Sequence, residues 1–311
     1  MHMNRFFFLS FAIFTFFSIS AKHCLVFGGK TGWIGQKIVT LLQNNGYEVT
    51  ATQTRLEKRE LIEKEIAIIK PDCIINAAGV TGRPNVDWCE SNKQEAIRSN
   101  IIGALTVADV AYMHNIYCIT IGTGCIYEYD EAHPMGSCIG FTEEDTPNFH
   151  GSFYSHTKCM LDDLIGNYPN NLMLRVRMPI SSDLHPRNFI TKITKYAKIV
   201  NVPNSMSILD DLLALIPDMI ERKLVGAYNF VNPGVISHNE ILDLYKEYID
   251  PNFTYENFSL EEQAKILKAG RSNNELDTAK LLKEFPDVPH IKESITNVFK
   301  KMKQLLNNET H

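Results

Sequence analysis

Between Cys24 and Gly46 the chain sets down an apolar strand, a glycine-rich turn and an amphipathic helix with nothing in between. Cys24-Leu25-Val26-Phe27 is a short apolar run of strand type. Gly29-Lys30-Thr31-Gly32-Trp33-Ile34-Gly35 follows, and Ile34, Ile38, Leu41 and Leu42 then share one face of a helix predicted over 33–45, with Gly46 as its stop. Few folds accept that succession. A strand that turns on glycines into a helix opens a β-α-β unit, and the helix start, with its free N–H groups and positive dipole end, seats a phosphate. The turn is therefore assigned to a dinucleotide, with Gly29, Thr31, Gly32, Trp33, Ile34 and Gly35 as cofactor-binding residues.

The first half of the chain keeps this rhythm. Strands are predicted at 24–28, 47–52, 72–76, 116–121 and 172–177, and helices at 33–45, 57–69, 91–114 and 153–167. This is the pattern of an α/β fold, a Rossmann doubly wound parallel sheet, which binds ligands beyond the carboxyl ends of its strands. Asn76-Ala77-Ala78-Gly79 closes the third strand and Gly122-Thr123-Gly124-Cys125 the fourth, so both tips face one crevice, and Asn76, Ala77 and Ala78 join the cofactor site. The second strand, Glu48-Val49-Thr50-Ala51-Thr52, bears on which dinucleotide is held. No acid follows Val49 to take a ribose 2′-hydroxyl, and Thr54-Arg55 comes next, which favours the 2′-phosphate of NADPH. The plain alternative is that Arg55 only decorates the start of the next helix.

After Pro179 the pattern changes. Residues 22–179 are read as the NADP-binding domain and 180–311 as a smaller, mainly helical substrate-binding part, with the helix and strand of 208–231 returning to the main sheet. Ser237-His238-Asn239-Glu240 and Ser259-Leu260-Glu261-Glu262 are capping boxes that open helices at 238–249 and 260–268. A net charge of −5 and the lack of a basic stripe speak against nucleic acid. Seven cysteines without a C-x-x-C pair indicate neither a metal site nor a disulfide framework, and the odd count suits a reducing compartment. Residues 1–21 are set apart as an apolar leader: Phe6 to Ile19 is almost unbroken and holds seven phenylalanines, behind Arg5 and ahead of small residues. It reads as a signal peptide, an anchor or an incidental extension. The expectation is a cytoplasmic protein, with the secretory pathway as the alternative, where Asn252, Asn257 and Asn308 would stand in acceptor sequons.

Two short stretches carry chemistry. Tyr154-Ser155-His156-Thr157-Lys158 places a phenol and an ammonium about one turn apart on a helix face, and a nearby ammonium favours phenolate and lowers the tyrosine. Ile121-Gly122-Thr123-Gly124-Cys125 sets a hydroxyl and a thiol at the end of a buried strand. An acid, a hydroxyl and a thiol around one carbonyl suggest more than hydride transfer. Cys24, Cys73, Cys118 and Cys159 read as packing residues, and Cys89 beside Trp88 as a lining of the ligand pocket.

The stretches KTGWIG, NAAGVTGRPNVDWCE, TGCIYEYD, EEDTPNFHGSFYS, LRVRMPISSDL, PRNFITKITKY, NPGVISHNEIL and RSNNELD run through the chain from about residue 24 to 296. Together they resemble the extended short-chain dehydrogenase/reductases of deoxysugar synthesis, a group that includes the dTDP-4-dehydrorhamnose reductases. They are most similar to the bifunctional UDP-4-keto-6-deoxyglucose 3,5-epimerase/4-reductases of UDP-L-rhamnose synthesis. The resemblance implies a substrate, UDP-4-keto-6-deoxyglucose, whose C3 and C5 protons are acidified by the C4 ketone, and an upstream UDP-glucose 4,6-dehydratase to supply it. In related sugar dehydratases an Asp-Glu pair follows the threonine. Gly124 and Cys125 stand there instead, which argues against dehydration. The resemblance implies Thr123, Cys125, Tyr154, Lys158 and Lys192 as catalytic residues. Cys125 and Lys192 would exchange protons on opposite faces, a thiol's ordinary value near 8.5 suiting that task. Tyr154, helped by Lys158 and Thr123, would steady the enolate and protonate O4 as NADPH delivers hydride. Tyr154 and Lys158 would also hold the cofactor. Val80, Thr81, Arg83, Asn188 and Arg271 are the implied substrate contacts, Arg271 for the diphosphate and Asn188 for diphosphate or uridine. Asn100 is read as structural.

Two other readings stay open: a monofunctional 4-keto-sugar reductase, and a non-catalytic NADP-binding regulatory subunit of the kind found beside methionine adenosyltransferase. A homodimer and a thymidine in place of the uridine also stay open.

Overall fold

The computed structural model describes residues 21–309. The leader reading of Phe6–Ile19 lies outside them. Six strands form one parallel sheet: β1 (His23–Phe27), β2 (Glu48–Thr52), β3 (Cys73–Asn76), β4 (Tyr117–Thr123), β5 (Asn171–Val176) and β6 (Gly226–Phe230). Their order is β2-β1-β3-β4-β5-β6, with every pairing parallel. The chain leaves β1 to one side for β2 and to the other for β3, so the crevice opens above β1 and β3. The strands β3 and β5 are buried throughout, as expected of a sheet covered on both faces.

The helix α1 (Trp33–Asn44) buries Ile38 and Leu42 on one face of the sheet, where Leu209, Leu212 and Met219 from the second half join it. On the opposite face, α2 (Arg59–Ile69) and α3 (Ala104–Met113) contribute Ile62, Ile66, Val107 and Val110 around Leu25, Phe27 and Ile74. Each such side chain contributes roughly 1.5–3 kcal/mol when fully buried. Residues 208–231 thus return to the sheet, and β6 lies beside β5. The remainder of the second half has its own core, in which α4 (Phe189–Ile193) and α5 (His238–Tyr248) bury Ile190, Ile193 and Ile241 against Ile291, Phe299 and Met302. Both capping boxes form, at Ser237 with Glu240 and at Ser259 with Glu262.

Two elements depart from the sequence reading. The single helix predicted over 91–114 is three pieces, Lys93–Ile97, a π-helical segment Arg98–Gly103, and α3. Tertiary contacts widen it: a Cβ on Gly103 would lie 2.6 Å from Leu56 Cβ, and Asn100 is drawn towards the loop after β3. The strand β4 runs to Thr123 rather than 121, because Gly122 and Thr123 pair with Arg175 and Val176.

Candidate active site

The glycine turn closes on itself. Gly28, which the motif reading left out, takes the left-handed φ of +76°, and a Cβ there would meet Ala77 O at 2.8 Å. A Cβ on Gly32 would lie 2.7 Å from Gly28 O, and one on Gly35 only 2.3 Å from it. The same bareness brings the first turn of α1 to the crevice with no side-chain cap and no acidic residue, leaving its N–H groups for a phosphate. These are the features a dinucleotide pyrophosphate needs. At Gly29 a Cβ would meet Val39 at 2.8 Å and Ala51 at 3.0 Å, so its bareness also serves strand–helix packing. Thr31 is exposed and Ile34 half-buried. The side chain of Trp33 is buried, and its Nε1 donates to Asp183 at 2.9 Å. Lys37 Nζ reaches the same carboxylate at 2.7 Å, and His185 stacks on the Trp33 ring at 5.3 Å. The connector from the second half is thereby clasped onto α1.

At the end of β2, Arg55 is largely exposed, 3.7 Å from Glu57. It lines a groove with Glu57, Gln94, Glu95, Arg98 and Ser99. Arg98 is a second cation there that sequence reading missed. An acid is present after all below this strand: Thr52 Oγ1 donates to Glu65 of α2 at 2.7 and 2.8 Å. Behind the crevice, Asn76 is buried and its Oδ1 accepts from Ala78 N at 3.1 Å, while Ala77 N donates to Phe27 O at 3.0 Å. Asn100, fully buried, takes Val80 N at 2.8 Å and gives to Val80 O at 2.9 Å, which fixes the loop that continues to the exposed Thr81 and Arg83.

The helix α6 carries Tyr154 and Lys158. In sequence it is Phe153–Ile165, between β4 and β5. Its start is doubly held: Ser152 Oγ accepts from Ser155 N at 3.0 Å, and Glu90 accepts from Phe153 N at 2.7 Å. Both functional groups are buried. Burial pushes the Tyr154 phenol well above the ordinary tyrosine range, and the neighbouring Cys125 adds to this, while a hydrogen bond with Thr123 opposes it. Burial also brings Lys158 down to about 8, against the pull of Asp162 one turn further along. The expectation of a lowered tyrosine is thus corrected. Removal from water dominates over charge pairing and favours the neutral phenol over a standing phenolate. Asp162 is itself bound by Arg175 at 2.6 Å, which locks α6 to β5.

Thr123, Tyr154 and Cys125 meet at the tip of β4. Thr123 is buried, and its Oγ1 accepts from Cys125 N at 3.1 Å. Cys125, just past β4, is half-buried, whereas Cys118 within the strand is fully buried. Gly124 has no room for a carboxylate: a Cβ there would lie 2.5 Å from Leu276 Cδ1. Cys89 does not line a ligand pocket. It is fully buried beneath Tyr154 with Ala96, and burial pushes its thiol up. Lys192 lies on α4, with its pKa lowered by burial and by Arg187. Asn188 caps that helix, accepting from Ile190 N at 3.2 Å and donating to Ser181 O and Asp183 O at 2.7 and 2.6 Å. Its amide is therefore used in shaping the loop rather than offered to a diphosphate, which revises its assignment. Arg271 forms an ion pair with Asp87 at 2.9 Å, without the alignment of a directed hydrogen bond. No cluster of metal-ligating side chains occurs among the described residues, and no helix among them is long and apolar enough to cross a membrane.

A parallel Rossmann sheet, a glycine turn shaped for pyrophosphate and a Thr-Tyr-Lys set at the tip of β4 define a nicotinamide-dependent short-chain reductase. The chain belongs to the NAD dependent epimerase/dehydratase family, whose pattern matches residues 24–184. It is 57% identical over 279 residues to a bifunctional dTDP-4-dehydrorhamnose 3,5-epimerase/dTDP-4-dehydrorhamnose reductase of Arabidopsis thaliana, covering 89% of this chain and 92% of that one. A trifunctional UDP-glucose 4,6-dehydratase/UDP-4-keto-6-deoxy-D-glucose 3,5-epimerase/UDP-4-keto-L-rhamnose reductase of the same plant is 56% identical over 268 residues, 86% of this chain but 40% of that longer one. Among solved structures, the L780 UDP-rhamnose synthase of Acanthamoeba polyphaga mimivirus superposes with a TM-score of 0.87 at 42% identity, covering 91% of this chain and 100% of that one.

Proposed function

We propose that this chain converts UDP-4-keto-6-deoxyglucose to UDP-L-rhamnose by 3,5-epimerisation followed by NADPH-dependent reduction of the 4-ketone. The observation that carries this is the placement of a half-buried thiol, Cys125, beside the Thr123–Tyr154 hydrogen bond. A reductase has no use for a thiol there. An epimerase does.

NADPH, when bound, would supply the hydride for C4. The first turn of α1 and the Gly28 turn would hold its pyrophosphate, and Arg55 with Arg98 would hold the 2′-phosphate. In epimerisation, one group takes the C5 or C3 proton and another returns a proton to the opposite face. Cys125 fills one role and Lys192, lowered by burial, the other. Tyr154 and Thr123 donate to O4 as negative charge develops on it. In reduction Tyr154 gives its proton to O4, and Lys158 beside it supports the charge left behind. Arg271 grips the diphosphate. The substrate is the product of a UDP-glucose 4,6-dehydratase, the activity that the longer plant relative carries in the same chain. We place the protein in the cytosol, in keeping with its odd number of cysteines and the exposed Cys138.

The test is to supply UDP-4-keto-6-deoxyglucose and NADPH in deuterated water and identify the product. UDP-L-rhamnose labelled at C3 and C5 is expected. Cys125→Ser should lose label and rhamnose by at least about 10²-fold while still binding NADPH. Normal labelling by Cys125→Ser would leave the monofunctional reductase in its place.

A further inference from the structure

The reducing and epimerising groups stand two residues apart on the chain, yet they are held by different parts of the molecule. Thr123 is inside β4, in register with Val176, and Gly124 N still donates to Val176 O at 3.0 Å. Past that point the ladder ends, and Cys125 is tied back to the strand by its own N–H on Thr123 Oγ1 at 3.1 Å. The rest of the turn is held by a segment 150 residues further on. Asn274, fully buried, directs Nδ2 at Gly124 O (3.0 Å) and at Tyr127 O (2.9 Å), the carbonyls on either side of the Cys125 turn. Ser272 Oγ donates to the same Tyr127 O at 2.6 Å and receives Asn274 Nδ2 at 3.0 Å. Arg177 braces Ser272, its Nη2 donating to Ser272 O at 2.6 Å. Asn274 is anchored in turn by its own N–H on Asn204 Oδ1 at 3.0 Å, and Leu276 closes over Gly124.

We infer that Asn274 is a positioning residue for epimerisation: its amide fixes the turn that aims the Cys125 thiol, while the reducing groups are aimed by the sheet and α6. This rests on the bifunctional reading above. Hydrogen-bond donors are essential to the role, because both partners are carbonyl oxygens. A carboxylate of the same shape would repel them. Misplacing a reacting group by about 1 Å costs roughly 10²-fold in rate.

The experiment compares two rates in the full chain. One is deuterium exchange at C3 and C5 of UDP-4-keto-6-deoxyglucose without NADPH. The other is NADPH consumption with the already epimerised 4-keto sugar. Asn274→Asp should lower exchange by about 10²-fold and hydride transfer by less than about threefold, with NADPH affinity unchanged. Should Asn274→Asp fold poorly, Ser272→Ala, which removes one of the two donors to Tyr127 O, should lower exchange alone by about tenfold. Normal exchange in these variants, or an equal loss of both rates, overturns the inference while exchange in the unmutated protein stands. Absence of exchange in the unmutated protein would instead overturn the bifunctional reading and this inference with it.

Discussion

At the scale of single residues, burial sets the chemistry more than sequence neighbours do. Tyr154 and Lys158 share a helix face, yet each is shifted against its charged form because both are buried, Tyr154 in a dry cluster with Cys89 and Ala96. A definite pH dependence follows. Lys158 keeps its ammonium below about 8 and loses it above. Single-turnover reduction at saturating NADPH should therefore be flat below that value and fall by up to about tenfold per pH unit above it. A rate that climbs through the same range would show that the ammonium has no part in the step. Arg55 gives a second test. With Arg98 it lines the groove below β2, so Arg55→Ala should weaken NADPH binding by roughly 1.5–3 kcal/mol and leave NADH binding nearly unchanged. Isothermal titration with both cofactors reads this directly, and equal affinity in the unmutated protein would contradict it.

At the scale of elements, the tip of β4 is shaped by what crosses it. Gly124 is bare because Leu276 occupies the space where a side chain would go. Gly124→Ala should destabilise the fold by about 1–3 kcal/mol through overpacking. Leu276→Ala should cost about 2–5 kcal/mol by opening a cavity. Combined, the two should cost less than their sum by roughly 0.5–3 kcal/mol, measured by denaturant unfolding, since one substitution fills what the other empties. Strict additivity would mean that the two do not touch. The π-helical segment Arg98–Gly103 has a similar origin: it brings Asn100 to Val80 from a helix whose sequence shows no break.

At the scale of the whole molecule, the two halves are joined by a clasp and by a returning strand. Burial alone would raise the Asp183 carboxyl, but Lys37, Trp33 and the His185 N–H outweigh it and hold it below the usual range. Just ahead of β1, the Lys22 carbonyl accepts from Glu48 N at 3.0 Å and its ammonium meets Glu221 at 2.5 Å. Protein beginning at Lys22 should therefore fold cooperatively and turn over substrate at the full-length rate. Circular dichroism melts and the rhamnose assay check this, and an inactive or insoluble product would give residues before Lys22 a structural part.

Local pattern alone determined the order of strands and helices, the glycine turn, both capping boxes and the Tyr154–Lys158 face, because each depends on residues within a turn or two of one another. The resemblance carried by the longer motifs added that Cys125 stands where related dehydratases have a carboxylate. The tertiary structure decided the rest. Only packing shows that Gly28 carries the left-handed turn while Gly29 also packs strand against helix, that Asn188 spends its amide on its own loop, and that Cys89 lies under Tyr154 rather than in a pocket. Only packing brings Asp87 to Arg271, Asp183 to Trp33 and Asn274 to the Cys125 turn. The physical reason is range. Periodicity and capping are written in neighbouring residues, whereas desolvation, steric closure and side-chain hydrogen bonds depend on which distant segments the folded chain lays against each other.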